Sequence, residues 1–400
     1  MNNETRKETQ VLPKDVRCVG ADDLTLSLFE NQYPVQPMGV SYNSYLILDE
    51  KIAVMDSVDA RAADEWLAKL AHELDGRSPD YLVISHMEPD HSGSILRLAE
   101  KYQEMKLVGN TKTFTMLRQF FGAKAPTDDR LLEVGEGETL PLGAHTLHFM
   151  LAPMVHWPEV MVAYEETEKL LFSADAFGRF GALSRTAGAP WAPQARRYYY
   201  NIVGKYGAQV QALLKKAAAL EIEMICPLHG PVLTGEALGE ALRLYDLWSR
   251  WQSESPDDIL LAHASIHGNT ARAAELFKQK LEAKGARVTL CDLTTTEVSY
   301  AVANAFYCGK LVLACSTYDG GLFPPMEEFL SHLQAKGFRD RSVGLMENGS
   351  WAPAAARLMR AKLEEMKDLR VCGTVVSLRS ALSPASEAQM DALTTELCAK

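Results

Sequence analysis

No two cysteines of this chain stand in Cys-x-x-Cys spacing, and their number is odd. The seven are Cys18, Cys226, Cys291, Cys308, Cys315, Cys372 and Cys398. That excludes a fused rubredoxin-type iron centre and argues against a disulfide framework. A reducing, cytoplasmic setting fits, with most thiols acting as small buried apolar groups. No apolar run approaches the ~20 residues needed to span a bilayer. The polar start, Met1 to Glu8, lacks the apolar stretch of a secretory leader. Positive charge is also scarce: 41 Lys and Arg face 52 Asp and Glu, a formal net charge of −11. That balance excludes broad binding to nucleic acid or to an anionic membrane. What remains is ordinary globular material, 47% hydrophobic, and 400 residues leave room for two or three domains.

The first half alternates strand and helix signals. Ser44 to Leu48 and Ile52 to Met55 flank a turn at Asp49-Glu50-Lys51 and read as a β-hairpin. Ala62 to Leu74 carries the apolar spacing of an amphipathic helix. Tyr81 to Ile84 reads as a short buried strand, with further strands at Lys106–Val108, Thr146–Met150 and Val160–Tyr164. After a last helix near Leu242–Trp251, the polar stretch Ser253 to Asp258 reads as a linker. Beyond it strands at Ile259–Ala262, Arg287–Leu290, Lys310–Ala314, Ser342–Met346 and Val371–Val376 alternate with helices. That order predicts a parallel, doubly wound sheet.

The chemistry concentrates in His86-Met87-Glu88-Pro89-Asp90-His91, where four metal-competent side chains fall within six positions after a buried strand. Asp90 is also placed to cap the helix beginning near Gly93. The loop resembles the ligand loop of the metallo-β-lactamase fold, whose hydrolases read His-x-His-x-Asp-His. Here the second histidine is Glu88. A carboxylate in place of imidazole adds a hard anionic oxygen and moves the preference away from zinc. Downstream, His156 (in Pro-Met-Val-His-Trp-Pro), Asp175 (ending a strand) and His229 (in Cys-Pro-Leu-His-Gly) follow at intervals that look like those of a binuclear site of that fold. Glu88, Asp90 and Asp175 supply three negative charges against the four positive charges of two ferrous ions. One hydroxide would then leave the cluster neutral. Iron tolerates this mixed imidazole and carboxylate set and adds redox chemistry that zinc lacks. His145 and His148 read as structural residues or as supports behind the metal ligands.

Three loops of the second half point to a flat, phosphorylated ligand. Ser265-Ile266-His267-Gly268-Asn269-Thr270 joins a strand to a helix, where backbone N–H groups and hydroxyls can cradle a phosphate. It contains no lysine and does not match the Walker pattern. A capped helix start explains that loop equally well, taken alone. Ser316-Thr317-Tyr318-Asp319-Gly320 and Asn348-Gly349-Ser350-Trp351 follow the third and fourth strands of the expected sheet and offer glycines and aromatics. All three lie at strand carboxyl ends, where doubly wound sheets bind ligands. Together they look like the FMN loops of a flavodoxin.

A metallo-β-lactamase-like αββα sandwich over residues 1–253, followed by a flavodoxin-like sheet over 258–400, resembles the flavodiiron proteins. The likeness runs from about Arg17 to Cys398. It implies FMN, a non-heme diiron centre, and reduction of dioxygen to water, of nitric oxide to nitrous oxide, or both. It also implies that one iron takes His86, Glu88 and His156, the other takes Asp90, His91 and His229, and Asp175 bridges them. Electrons would come from a separate donor such as rubredoxin. A head-to-tail homodimer, or a dimer of dimers, would set each flavin beside its partner's irons, with Trp351 and Tyr198-Tyr199-Tyr200 as candidates for that junction. Two other readings stand beside this one: a zinc hydrolase fused to a flavodoxin domain, and a flavodoxin-type electron carrier without gas reduction.

Overall fold

A computed structural model describes residues 12–398. The polar octet Met1 to Glu8 lies outside the described residues. The chain separates into two compact units. One comprises the residues up to Tyr199 together with Ala208–Asp246, and the other Tyr200–Gly207 together with the residues from Leu247 onward. No helix among the described residues is long and apolar enough to cross a membrane.

The first unit contains two six-stranded sheets. One runs in the order Val16–Cys18, Tyr45–Ile47, Ala53–Met55, Tyr81–Val83, Lys106–Gly109, Leu131–Glu133. The other runs Thr139–Pro141, Thr146–Leu151, Met161–Glu165, Leu170–Phe172, Met224–Cys226, Leu233–Thr234. The expected hairpin forms, with Tyr45 paired to Met55 and Ile47 to Ala53. Alternation along each strand then makes the core. Tyr45, Ile47, Met55, Val83 and Val108 from one sheet meet Leu147, Phe149, Met161, Ala163 and Phe172 from the other. The residues between them, Leu46, Val54, Leu82 and Leu107, are buried on the opposite face. Helix Ala63–Leu74 buries Ala63, Trp66, Leu70 and Leu74, three to four residues apart, which gives it one apolar stripe. The result is the αββα sandwich. Its ligand-bearing loops all leave strand ends.

His145 has a structural part in this unit. Asp49 sits in the hairpin turn and accepts from the His145 backbone N–H and ring Nδ1, both at 2.8 Å, and from the Glu50 N–H at 2.7 Å. Burial pushes the Asp49 carboxyl up, but these hydrogen bonds outweigh it and bring it down to about 2 from an ordinary 3.8.

The second unit holds five parallel strands in the order Val288–Asp292, Ser255–Ala264, Cys308–Tyr318, Arg341–Asn348, Leu369–Leu378. With the first strand in sequence flanked by the second and third, this is the doubly wound flavodoxin-type order. One expectation is corrected here. Ser255 to Asp258, read as linker, begins the first strand of this sheet in sequence: Ser255 pairs with Cys308, and a register shift separates it from Ile259. A bulge lets a polar stretch containing Pro256 enter a sheet that otherwise rejects it.

The lowered acidity of Asp49 has a measurable consequence. Its contribution is complete above the unfolded pKa near 3.8 and is lost as pH falls toward 2. Asp49→Asn is expected to lower stability at pH 7 by about 1 kcal/mol and to flatten the acid limb of a urea-midpoint profile between pH 4 and 2. An acid limb identical to wild type would remove this role.

Candidate metal centre and flavin site

Asp175 organises the first site. It follows strand Leu170–Phe172, is fully buried, and faces imidazoles with both oxygens. Its Oδ2 lies 3.1 Å from His156 Nε2 and 3.4 Å from His86 Nε2. Its Oδ1 lies 3.1 Å from His91 Nε2 and 3.6 Å from His229 Nε2. Glu88 Oε2 completes the first set, 3.2 Å from His86 Nε2 and 3.1 Å from His156 Nε2. Asp90 Oδ2 completes the second, 3.2 Å from both His91 Nε2 and His229 Nε2. His86, Glu88, His156 and Asp175 thus form one metal-competent group, and Asp90, His91 and His229 a second. All seven residues expected at the centre are brought together.

The backbone explains why the motif works. Strand Tyr81–Val83 ends just before His86, and helix Pro89–Ser92 turns Asp90 and His91 inward together. The expectation that Asp90 caps a helix is corrected: it lies inside that short helix, whose N-cap is Glu88. Its carboxylate faces the histidines instead.

Outer hydrogen bonds fix the ring orientations. His86 Nδ1 donates to Glu159 Oε1 at 2.7 Å, which also accepts from the Met87 N–H. His229 Nδ1 donates to the Ser41 carbonyl at 2.7 Å. Each arrangement makes Nε2 the nitrogen that the ring presents to the site. Asn43 holds the His229 loop by donating to Pro227 O at 2.8 Å and Gly230 O at 2.7 Å. Asp56 fixes the start of the other loop through the Ser85 N–H at 2.7 Å.

Electrostatics agree with a cation site. Burial alone would lower the imidazole pKa values, but Asp90 and Asp175 raise His91 to about 10, and Asp175 and Glu88 raise His156 to about 9. Conversely, burial pushes the Asp175 and Asp90 carboxyls up, and the surrounding histidines overcome it and hold both well below the usual range. Three anionic carboxylates converge on imidazole nitrogens whose protons a metal would displace. Both oxygens of Asp90, and Oδ1 of Asp175, have no hydrogen-bond partner among the described residues. A pair of divalent ions fits this donor set.

Four further side chains shape the pocket. Tyr198 is 1% exposed, packs its ring 5.5 Å from His229, and has a hydroxyl without a hydrogen-bond partner among the described residues. Phe29 meets His229 edge-on at 5.3 Å, and Trp157 meets His86 edge-on at 5.2 Å. Glu30, at the tip of the Leu28–Pro34 hairpin with φ 51°, is an exposed residue whose carboxyl turns toward Glu88; desolvation there and the Glu88 charge push it up to about 7. Glu30, Glu159, Asn43 and Ser41 are not among the residues expected from the sequence, because only the folded chain brings them to the loop. Tyr198, Tyr199 and Tyr200, expected at a subunit junction, are buried and offer no docking surface.

The expected flavin loops also converge. Gly268, in a left-handed conformation at φ 89°, precedes helix Asn269–Glu282, whose start has no side-chain cap. Its first N–H groups are therefore available to an anion. Ser265 Oγ accepts from the Gly268 N–H at 3.1 Å. Thr270 Oγ1 lies 2.8 Å from Ser316 Oγ and accepts from Asn348 Nδ2 at 3.2 Å, so one buried contact joins all three loops. Asp319 and Gly320 form the tight turn after Tyr318, and Gly349 lies against Pro353. Ile266, Tyr318 and Trp351 are exposed, Trp351 at 89%. His267 is exposed beside Ile266, and Ser350 bonds outside the loop to Ser380. The Thr317 hydroxyl accepts from the Ala354 and Ala355 N–H groups and so ties this loop to the start of helix Ala355–Glu364.

Comparison with known proteins agrees with both halves. Residues 40–230 match the model of the ODP family beta lactamase. A rubredoxin-oxygen oxidoreductase of Megalodesulfovibrio gigas is 28% identical, covering 87% of this chain and 87% of the relative. An anaerobic nitric oxide reductase flavorubredoxin of Vibrio vulnificus is 26% identical over 94% of this chain and 76% of its own length. The crystal structure of the flavodiiron protein from Giardia intestinalis superposes with a TM-score of 0.88 at 26% identity, covering 97% of this chain and 95% of that one. The architecture is thus a β-lactamase-like sandwich joined to a flavodoxin-like sheet. Over most of its length the chain is similar to flavodiiron proteins and to relatives named for oxygen or nitric oxide reduction. The two metal-competent groups and the three converging loops fit the cofactors expected from the sequence, a diiron centre and FMN.

The shared carboxylate sets an expectation for metal content. Asp175→Ala is expected to cut bound iron from about two per chain to below one, measured by elemental analysis on protein checked for folding by circular dichroism. Retention of both metals would contradict the geometry described.

Proposed function

We propose that this protein reduces dioxygen to water, nitric oxide to nitrous oxide, or both, at two irons held by the seven residues, with electrons arriving through FMN. The observation that carries this reading is the paired donor set sharing Asp175, with Glu88 where zinc hydrolases of the fold place histidine. In this reading residues 1–253 hold the irons and 258–400 the flavin. His86, Glu88 and His156 hold one iron, Asp90, His91 and His229 the other, and Asp175 bridges. The flavin lies among Ser265 to Thr270, Ser316 to Gly320 and Asn348 to Trp351.

When bound, a ferrous pair supplies electrons and open coordination positions to a diatomic gas. The chain's own residues do the rest. Glu159 and Ser41 keep His86 and His229 in the tautomer that binds metal. Glu88, Asp90 and Asp175 neutralise most of the cationic charge inside a buried pocket. Trp157, Phe29 and Tyr198 line it with rings and limit water. Full reduction of dioxygen takes four electrons and reductive coupling of two nitric oxide molecules takes two. Either reaction therefore needs an external donor, for which a separate rubredoxin or another small carrier is proposed. The names of the Megalodesulfovibrio and Vibrio relatives cite oxygen and nitric oxide respectively, and support for each gas comes from that pair. A head-to-tail homodimer or dimer of dimers, working in the cytoplasm, completes the proposal.

Anaerobic stopped-flow of the reduced protein against each gas, with iron, zinc and flavin quantified on the same sample, tests this reading. Rapid reoxidation by either gas with about two irons and one FMN per chain is expected. Two zinc ions with hydrolysis of a thioester or lactam would sink it, and a flavin spectrum without gas reduction would leave only an electron carrier. Glu88→His is expected to raise the zinc-to-iron ratio at least several-fold in protein grown with both metals. Trp157→Ala is expected to increase hydrogen peroxide release during turnover with oxygen; unchanged release counts against a water-limiting role.

A further inference from the structure

The flavin reading uses loops after three strands of the parallel sheet, but a fourth loop is bonded to them. It follows the edge strand Leu369–Leu378 and consists of Arg379, Ser380 and Ala381. Ser380 stands at φ 72°, a left-handed conformation that a serine adopts only when its surroundings hold it there. Those surroundings are residues of the flavin loops. The Ser380 N–H donates to Asn348 Oδ1 at 3.0 Å, its carbonyl accepts from Asn348 Nδ2 at 3.0 Å, and its Oγ lies 2.7 Å from Ser350 Oγ. The Gly349 N–H adds a bond to the Leu378 carbonyl at 3.2 Å. The turn also sends Arg379 back over the same loop, where Nη1 donates to the Trp351 carbonyl at 3.3 Å. Arg379 is exposed, and no carboxylate stands within ion-pair distance of it among the described residues. The phosphate loop itself contains no lysine or arginine.

We propose that Arg379 and Ser380 form a fourth wall of the flavin site, with Arg379 as the positive charge facing the reduced flavin and Ser380 as the positioning residue that holds it there. Uptake of two electrons and one proton by FMN leaves a net negative charge on its ring system. A fixed cation beside the ring therefore binds the reduced form more tightly than the oxidised form, which raises the two-electron potential. The inference rests on the FMN reading of the three loops.

The test uses the full chain stripped of flavin and reloaded with FMN. Affinity for oxidised FMN is read from quenching of flavin fluorescence, and the midpoint potential from spectroelectrochemistry. Arg379→Gln is expected to weaken reduced relative to oxidised FMN binding by about tenfold, which corresponds to a potential lower by ~30 mV. Arg379→Lys, which keeps the charge, is expected to recover most of that change. Ser380→Gly keeps the left-handed backbone and loses the hydroxyl, and is expected to shift the ratio in the same direction by about threefold. A ratio unchanged in both Arg379→Gln and Ser380→Gly overturns the proposal. Failure of the underlying reading looks different, because wild-type protein would then bind no FMN at all.

Discussion

Everything at the metal centre depends on one carboxylate having two faces. Asp175 presents one oxygen to His156 and His86 and the other to His91 and His229. A single side chain therefore sets the separation and relative orientation of two donor sets that come from different loops. Burying an acid this completely is unfavourable unless positive charge surrounds it, and the imidazoles of His91, His86 and His156 supply that surrounding. The same arrangement explains why His86, His91 and His156 are so basic. Carboxylates and histidines hold each other in the ionisation state that a pair of cations takes over.

Around that carboxylate the sandwich acts as a positioning device. Donors leave the ends of strands Tyr81–Val83 and Leu170–Phe172, and the loop after Met224–Cys226, while His156 comes from the loop between two antiparallel strands. The outer contacts of Glu159, Ser41, Asn43 and Asp56 fix rings and loops but touch no site position themselves. This separates two tasks: one set of residues supplies the chemistry, and another removes their freedom. The flavin unit follows the same plan with weaker forces. Thr270, Ser316 and Asn348 join three loops by neutral hydrogen bonds, in keeping with a ligand held by many modest contacts.

Most of this architecture is legible in the order of the residues, for a physical reason. Strand alternation and the strand–helix order reflect local burial, and a dense cluster such as His86 to His91 has few uses other than metal binding. The parallel sheet is legible because its strands are continuous apolar runs, as sheets covered on both faces require. The start of its first strand is not, because composition does not reveal a bulge: Ser255 and Pro256 look like turn residues and yet begin a strand. Asp90 looks like a cap because the pattern of a helix start is local, whereas its partner His229 is distant in sequence. Glu30 and Glu159 are hidden for the same reason. An isolated acid gives no local sign of where its carboxyl will end up, and a hairpin tip at positive φ is invisible to periodicity. Thr317 is the polar loop residue that its neighbours suggest, but the tie of its hydroxyl to a helix start is not legible from them.

The spacing of the donors has one more consequence. His86 and His229 are 229 − 86 = 143 positions apart, and both belong to the same cluster through Asp175. Ions seated there would act as a non-covalent cross-link across more than a third of the chain. Closing so long a loop removes considerable freedom from any partly unfolded form, so the metal pair would restrain the backbone as a long-range staple does. The chain has no disulfide among its cysteines to play that part. Its redox centre and its strongest topological restraint would then be one and the same object.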